Sequence, residues 1–81
     1  MHSSSGTIYV QLAAFSSQKN AQSYLARLQS QLSWLAHAIR VYPQDGLYRI
    51  QAGPYVSRRE AHSVSDRVSQ SLGIKSFVLT R

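Results

Sequence analysis

The stretch RIQAGPYVSRREA, residues Arg49 to Ala61, nearly repeats YVQLAAFSSQKNA, residues Tyr9 to Ala21. At a shift of 40 positions Val10 falls on Ile50, Gln11 on Gln51, Phe15 on Tyr55 and Ser17 on Ser57. Farther along, Ala21 matches Ala61, Ser23 matches Ser63, Arg27 matches Arg67 and Leu32 matches Leu72. Self-similarity at one fixed offset signals a duplicated unit, and two copies are too few for a solenoid.

Each copy opens on alternation. Ile8, Val10 and Leu12 take one side and Tyr9, Gln11 and Ala13 the other; in the second copy Tyr48, Ile50 and Ala52 alternate with Leu47, Arg49, Gln51 and Gly53. Period two marks a strand with one face on a core. Each copy then changes to helical spacing, with Ala21, Leu25, Leu28 and Leu32 on one stripe and Ala61, Val64, Val68 and Leu72 on the other. Ser57 followed by Glu60 has the capping-box pattern, Ser17 holds the equivalent place, and Gly73 is a natural stop for the second helix. HAIRVY (residues 37–42) and KSFVLT (residues 75–80) supply two further strands, and Asp45-Gly46 predicts a tight hairpin between the second and third. The order is βαββαβ. Right-handed crossovers put both helices on one face of an antiparallel sheet. The expected fold is therefore α+β and ferredoxin-like, with four strands in the order 4-1-3-2 and the two repeated strands in the centre.

The bulk composition agrees with one small domain: 81 residues, 43% of them apolar. The opening residues 1–6, Met-His-Ser-Ser-Ser-Gly, read as a cloning leftover or linker, and residues 7–81 as the domain. Nine Lys and Arg face three Asp and Glu, a net charge of +6 that predicts attraction to an anionic partner. Nucleic acid, acidic headgroups and acidic glycans all satisfy that charge. The chain has no Cys, hence no disulfide framework and no thiolate metal site, and no apolar run long enough to cross a bilayer. No cofactor, metal or membrane insertion is expected, and the domain reads as a monomer.

With helices on one face, the other is open. Alternation assigns to it Tyr9, Gln11 and Ala13; Leu47, Arg49 and Gln51; Ala38, Arg40 and Tyr42; and Ser76, Val78 and Thr80, leaving Phe77 and Leu79 to the core. Amide and guanidinium groups hydrogen-bond sugar hydroxyls and N-acetyl groups, while Tyr, Leu and Val cover the C–H faces of pyranose rings. Apolar residues exposed among such polar ones suit a binding patch; an ordinary solvated sheet face is the other reading. The turns Ala13 to Ser17 and Gly53 to Ser57 enter helix N-termini, where free N–H groups favour anions. Phe15 and Tyr55 there plug the end of the core, with a ligand contact as the alternative.

YVQLAAFSSQKNAQSYLARL followed by GLYRIQAGPYVSRREAHSVSDRV resembles the SPOR domain family of bacterial cell-envelope proteins. The likeness covers nearly the whole chain after residue 6. It rests on V-Q-x-x-x-F in strand one and Y-R-I-x-x-G-P-Y in strand three, each followed by an Ala-bearing amphipathic helix. Within the family it resembles the C-terminal module of septal lytic transglycosylases. The resemblance implies a non-catalytic module that binds denuded peptidoglycan, the N-acetylglucosamine–N-acetylmuramic acid polymer stripped of stem peptides. It also implies a place in the periplasm, at the division septum. The family's binding residues fall on Gln11, Ala14, Leu47, Arg49 and Val78. Where the family often has Gly and Ser this chain has Ala13 and Ala14, and where it often has an aromatic this chain has Leu47, so Tyr42 and Tyr9 are the candidates to replace the ring. The expected glycan-binding set is Gln11, Ala13, Ala14, Phe15, Ser16, Arg40, Tyr42, Leu47, Arg49, Gln51 and Val78.

Charge and resemblance meet at one point of chemistry. Removal of the stem peptide leaves a free lactyl carboxylate on each N-acetylmuramic acid, so peptide-free glycan is a regular polyanion. A charge-assisted bond from Arg40 or Arg49 contributes roughly 1.5–3 kcal/mol, on the order of ten- to hundredfold in preference. Arg58, Arg59, Arg67 and Lys19 form a solvated rear surface.

Two rivals weaken on inspection. RNA-recognition modules share βαββαβ topology but stack bases on aromatics of the central strands, and the aromatic of LYRIQA, Tyr48, points to the core by parity. An enzyme of this size would need paired groups. Asp45 sits in a turn, Glu60 and Asp66 diverge around a helix, and His37 and His62 lack an evident partner.

Overall fold

The computed structural model describes residues 7–80. The opening segment 1–6, read above as a leftover or linker, lies outside them. Strand β1 (Ile8–Phe15) leads into α1 (Gln18–Gln31), then a 3₁₀ helix (Ser33–Ala38), β2 (Ile39–Gln44), β3 (Leu47–Tyr55), α2 (Arg58–Leu72) and β4 (Phe77–Thr80). The four strands form one antiparallel sheet in the order β2-β3-β1-β4, which is the expected order viewed from the other edge.

The local signals act as their chemistry dictates. Ser17 Oγ accepts from the Asn20 N–H at 3.2 Å and Ser57 Oγ from the Glu60 N–H at 3.1 Å, satisfying one orphan donor at each helix start. Asp45 and Gly46 take φ of 55° and 78°, the paired left-handed conformation that lets a two-residue loop follow the twist of the strands. α2 ends on Gly73.

The duplication is visible in the core. Val10 and Ile50, Ala21 and Ala61, and Leu28 and Val68 are repeat equivalents, and all six are buried. Leu12, Leu32, Leu35, Ile39 and Ala52 complete the cluster between sheet and helices.

Two bulges break the alternation of the central strands. Gln11 pairs with Gln51 but Ala13 with Ile50, so β1 carries one extra residue. A bulge shifts side-chain parity beyond it. Leu12 and Ala13 consequently both pack on the helix side, while Ala14, opposite Arg49, faces outward. The second bulge is in β3, where Val10 pairs with Ala52 but Ile8 with Tyr55. Tyr9 lies opposite the extra residue, and its ring fills the space where a Gly53 side chain would stand. A Cβ on Gly53 would come within 2.9 Å of Tyr9 Cδ2 and 3.0 Å of the Ile8 carbonyl oxygen, at a φ of +141°. Gly53→Ala therefore destabilises the domain by about 1–3 kcal/mol. Urea unfolding checks this; a change below about 0.5 kcal/mol would show that Tyr9 and the bulge yield freely.

Three expectations about the outer strands are corrected. The chain between α1 and β2 forms a 3₁₀ helix, because Leu32 and Leu35 are spaced for a three-residue turn and both are buried. β2 thus begins at Ile39 rather than His37, and Ala38 packs against the core instead of facing solvent. In β4 the parity is reversed. Val10 pairs with Val78, which joins the core, whereas Phe77 pairs with Gln11 and Leu79 with Tyr9 on the open face. Ser76 turns toward the helices, where its hydroxyl bonds that of Ser65 on α2.

Candidate functional site

Pairing across the sheet sets a row of open-face residues that crosses all four strands: Arg40 opposite Gln51, Gln51 opposite Gln11, and Gln11 opposite Phe77. A second row sets Tyr42 opposite Arg49 and Arg49 opposite Ala14. At about 4.8 Å between strands the first row spans about 14 Å.

The centre of these rows is polar and connected. Gln51 Nε2 donates to Gln11 Oε1 at 3.1 Å, and Arg49 Nη1 donates to the same oxygen at 3.4 Å. Arg49 Nε is shielded from solvent and has no hydrogen-bond partner. Gln51 is only 2% exposed although it sits on the open face. Above β3, the rings of Tyr9 on β1 and Tyr42 on β2 approach edge to face, their centroids 5.7 Å apart. Gln51 lies between the row of Tyr42 and that of Tyr9, so the two rings help enclose it.

Charge is distributed to match. Arg40 is exposed and Arg49 half-buried on this face, whereas Asp45 lies in the β2–β3 turn and Glu60 and Asp66 on α2. The sheet strands thus carry cations and no acid. On the other side Arg67 stacks over Trp34 with 4.1 Å from guanidinium carbon to ring centroid, and Arg58 donates to Thr80 Oγ1 at 3.1 Å, so two of the rear cations have structural partners.

The predicted site residues divide accordingly. Gln11, Ala14, Arg40, Tyr42, Leu47 and Arg49 are together on the open face. Gln51 belongs to the same face but is enclosed. Ala13 and Val78 are on the helix side. Phe15 packs its ring 5.3 Å from that of Tyr24 and is part of the core's plug; Ser16 is exposed at the start of the following turn. Burial, with the Glu60 carboxylate as the smaller cause, holds the Tyr55 phenol above its ordinary pKa, as suits the second plug. Tyr48 pairs with Phe15 on the helix side, where it offers no stacking surface to a base.

Phe77 is the aromatic that sequence reasoning assigned to the wrong face. It is 67% exposed beside Gln11, with an open aromatic surface. Tyr9 and Tyr42 pack against each other, whereas the Phe77 ring keeps an open face. Alternation could not reveal it, because FVL is apolar at both parities; only the register with β1 decides.

The SPOR domain family model matches residues 4–80. This chain belongs to the SPOR domain family. Among curated SPOR-bearing relatives, it is 36% identical over 74 residues to the endolytic peptidoglycan transglycosylase RlpA of Salmonella typhi, covering 91% of this chain and 19% of that protein. It is 33% identical over 78 residues to RlpA of Escherichia coli K12, covering 96% of this chain and 21% of that protein. This SPOR module therefore spans about a fifth of the length of those relatives. Its fold matches the solution structure of the peptidoglycan-binding domain of the B. subtilis cell wall lytic enzyme CwlC. The TM-score is 0.76 at 27% identity, covering 100% of this chain and 98% of that one.

Proposed function

We propose that this SPOR domain binds peptidoglycan through the open face of its sheet, without catalysis, and selects glycan strands freed of stem peptides. The carrying observation is the coupled pair Gln11 and Arg49, set between an exposed Phe77 and an exposed Arg40 on strands without acids. Phe77 and Leu47 cover C–H faces of the sugars. Gln11 and Arg49 donate to oxygens, and the guanidinium takes the lactyl carboxylate. Ala14, small and exposed next to Arg49, leaves the approach clear. A stem peptide removes the charge of the carboxylate by converting it to an amide and adds bulk above a shallow face. The relatives named for endolytic transglycosylase activity support placing this module in an envelope enzyme, which it brings to the septum where peptide-free strands gather.

The test is Arg49→Ala. Loss of a charge-assisted bond weakens binding of a peptide-free glycan oligosaccharide by roughly ten- to hundredfold and flattens its dependence on salt. Calorimetric titration at two ionic strengths measures both. Equal affinity for peptide-bearing and peptide-free glycan in the unmodified domain would refute the selectivity outright.

A further inference from the structure

We infer that Gln51 is a positioning residue: it holds the Gln11 amide with its oxygen turned inward, so that Gln11 and Arg49 present donors only and prefer a carboxylate to a carboxamide. The inference rests on the reading of this face as a glycan site. Gln51 is 2% exposed, too enclosed to touch a polymer lying on the sheet, so its effect must pass through a neighbour. That neighbour is Gln11. Gln51 Nε2 and Arg49 Nη1 both donate to Gln11 Oε1, at 3.1 Å and 3.4 Å. A carbonyl oxygen has two lone pairs, and here both are engaged. A half-turn of the Gln11 amide would set its NH2 against the Arg49 guanidinium, which cannot accept, and would break the shorter bond from Gln51. The hydrogen-bond partners therefore fix which end of the amide points outward.

What remains for a ligand is the Gln11 NH2 and the Arg49 guanidinium, neither of which can accept. A lactyl carboxylate only accepts, and it fits. A lactyl carboxamide has nearly the same shape but carries N–H groups of its own, and these meet no acceptor on either residue. This also accounts for the recurrence of Gln at equivalent points of the duplicated strands: the two amides are direct cross-strand partners, one buried to orient and one presented to bind.

The experiment compares the unmodified domain with Gln51→Met, which keeps the length of the side chain and removes its donor. The probes are two synthetic N-acetylglucosamine–N-acetylmuramic acid oligosaccharides, one with free lactyl carboxylates and one with primary carboxamides there. Arg49 is present in both proteins, so its preference for charge cancels in the comparison. The carboxylate-over-carboxamide ratio falls about tenfold in Gln51→Met. An unchanged ratio in a folded variant overturns the inference and leaves the glycan site standing. Absence of any preference in the unmodified domain overturns both. If Gln51→Met does not fold, nuclear magnetic resonance of the unmodified domain decides. The Gln11 side-chain NH2 signals must shift on titration with the carboxylate probe; NH2 signals that stay put while backbone amides of β1 and β3 move overturn the inference.

Discussion

Gln11→Glu removes retention on peptide-free glycan almost completely, by about a hundredfold or more, while the domain remains folded. The substitution keeps the shape and the inward oxygen that accepts from Gln51 and Arg49. It deletes the NH2 presented to the ligand and puts a carboxylate where the lactyl carboxylate should approach. Like charges set against each other at an interface cost several kcal/mol, and each 1.4 kcal/mol is about a factor of ten. The new carboxylate also engages Arg49, so the cation proposed to attract the polymer is neutralised from within. Stability changes little, because the added charge gains a guanidinium partner at a half-buried position. Pulldown with amidase-treated sacculi, alongside thermal unfolding, separates the two effects. Retention equal to that of the unmodified domain would remove the open face as the site.

The opposite pattern is expected at Leu28→Ala. Leu28 is 1% exposed in the core under α1, the repeat equivalent of Val68 under α2. Its truncation deletes buried methyl groups and leaves a void that the sheet cannot close, at a cost of about 2–5 kcal/mol. For a domain of this size each kcal/mol lowers Tm by about 4–8 °C, so a fall of at least about 8 °C follows. A domain of this length holds about 4–12 kcal/mol in all, so the lower end of that range leaves a measurable unfolded fraction at room temperature. Circular dichroism against temperature measures the shift. A loss under about 1 kcal/mol would mean that α1 settles onto the sheet without Leu28. Glycan affinity per folded molecule stays unchanged, since the residue lies on the far side of the sheet from Gln11.

The contrast between those two residues follows the division of the sheet into a covered and an open face, and that division was largely legible in the chain. Val10, Ile50, Leu28 and Val68 announce themselves by period two and period 3.6, and Gln11, Arg40 and Arg49 fall on the open face by the same alternation. Asp45-Gly46, Ser17 and Ser57 mark turns and helix starts through interactions within four residues. Ala13 was misplaced because alternation assumes an unbroken ladder, and the β1 bulge turns two successive residues inward. Phe77 and Val78 were exchanged because FVL carries no contrast between its faces. The repeat did not help there: Ile39 faces the core, yet Leu79, at the same offset of 40, faces out beside Tyr9.

The amino-acid order by itself determined the duplicated βα units, the strand order and the polar character of one face, because each depends on periodicity, caps and turns that act over short distances. Tertiary structure alone decided the parity of β4, the exposure of Phe77, the enclosure of Gln51 and the convergence of two donors on one Gln11 oxygen. Those depend on register between strands distant in the chain. A one-residue change in register interchanges the faces of a strand whose composition is indifferent to them.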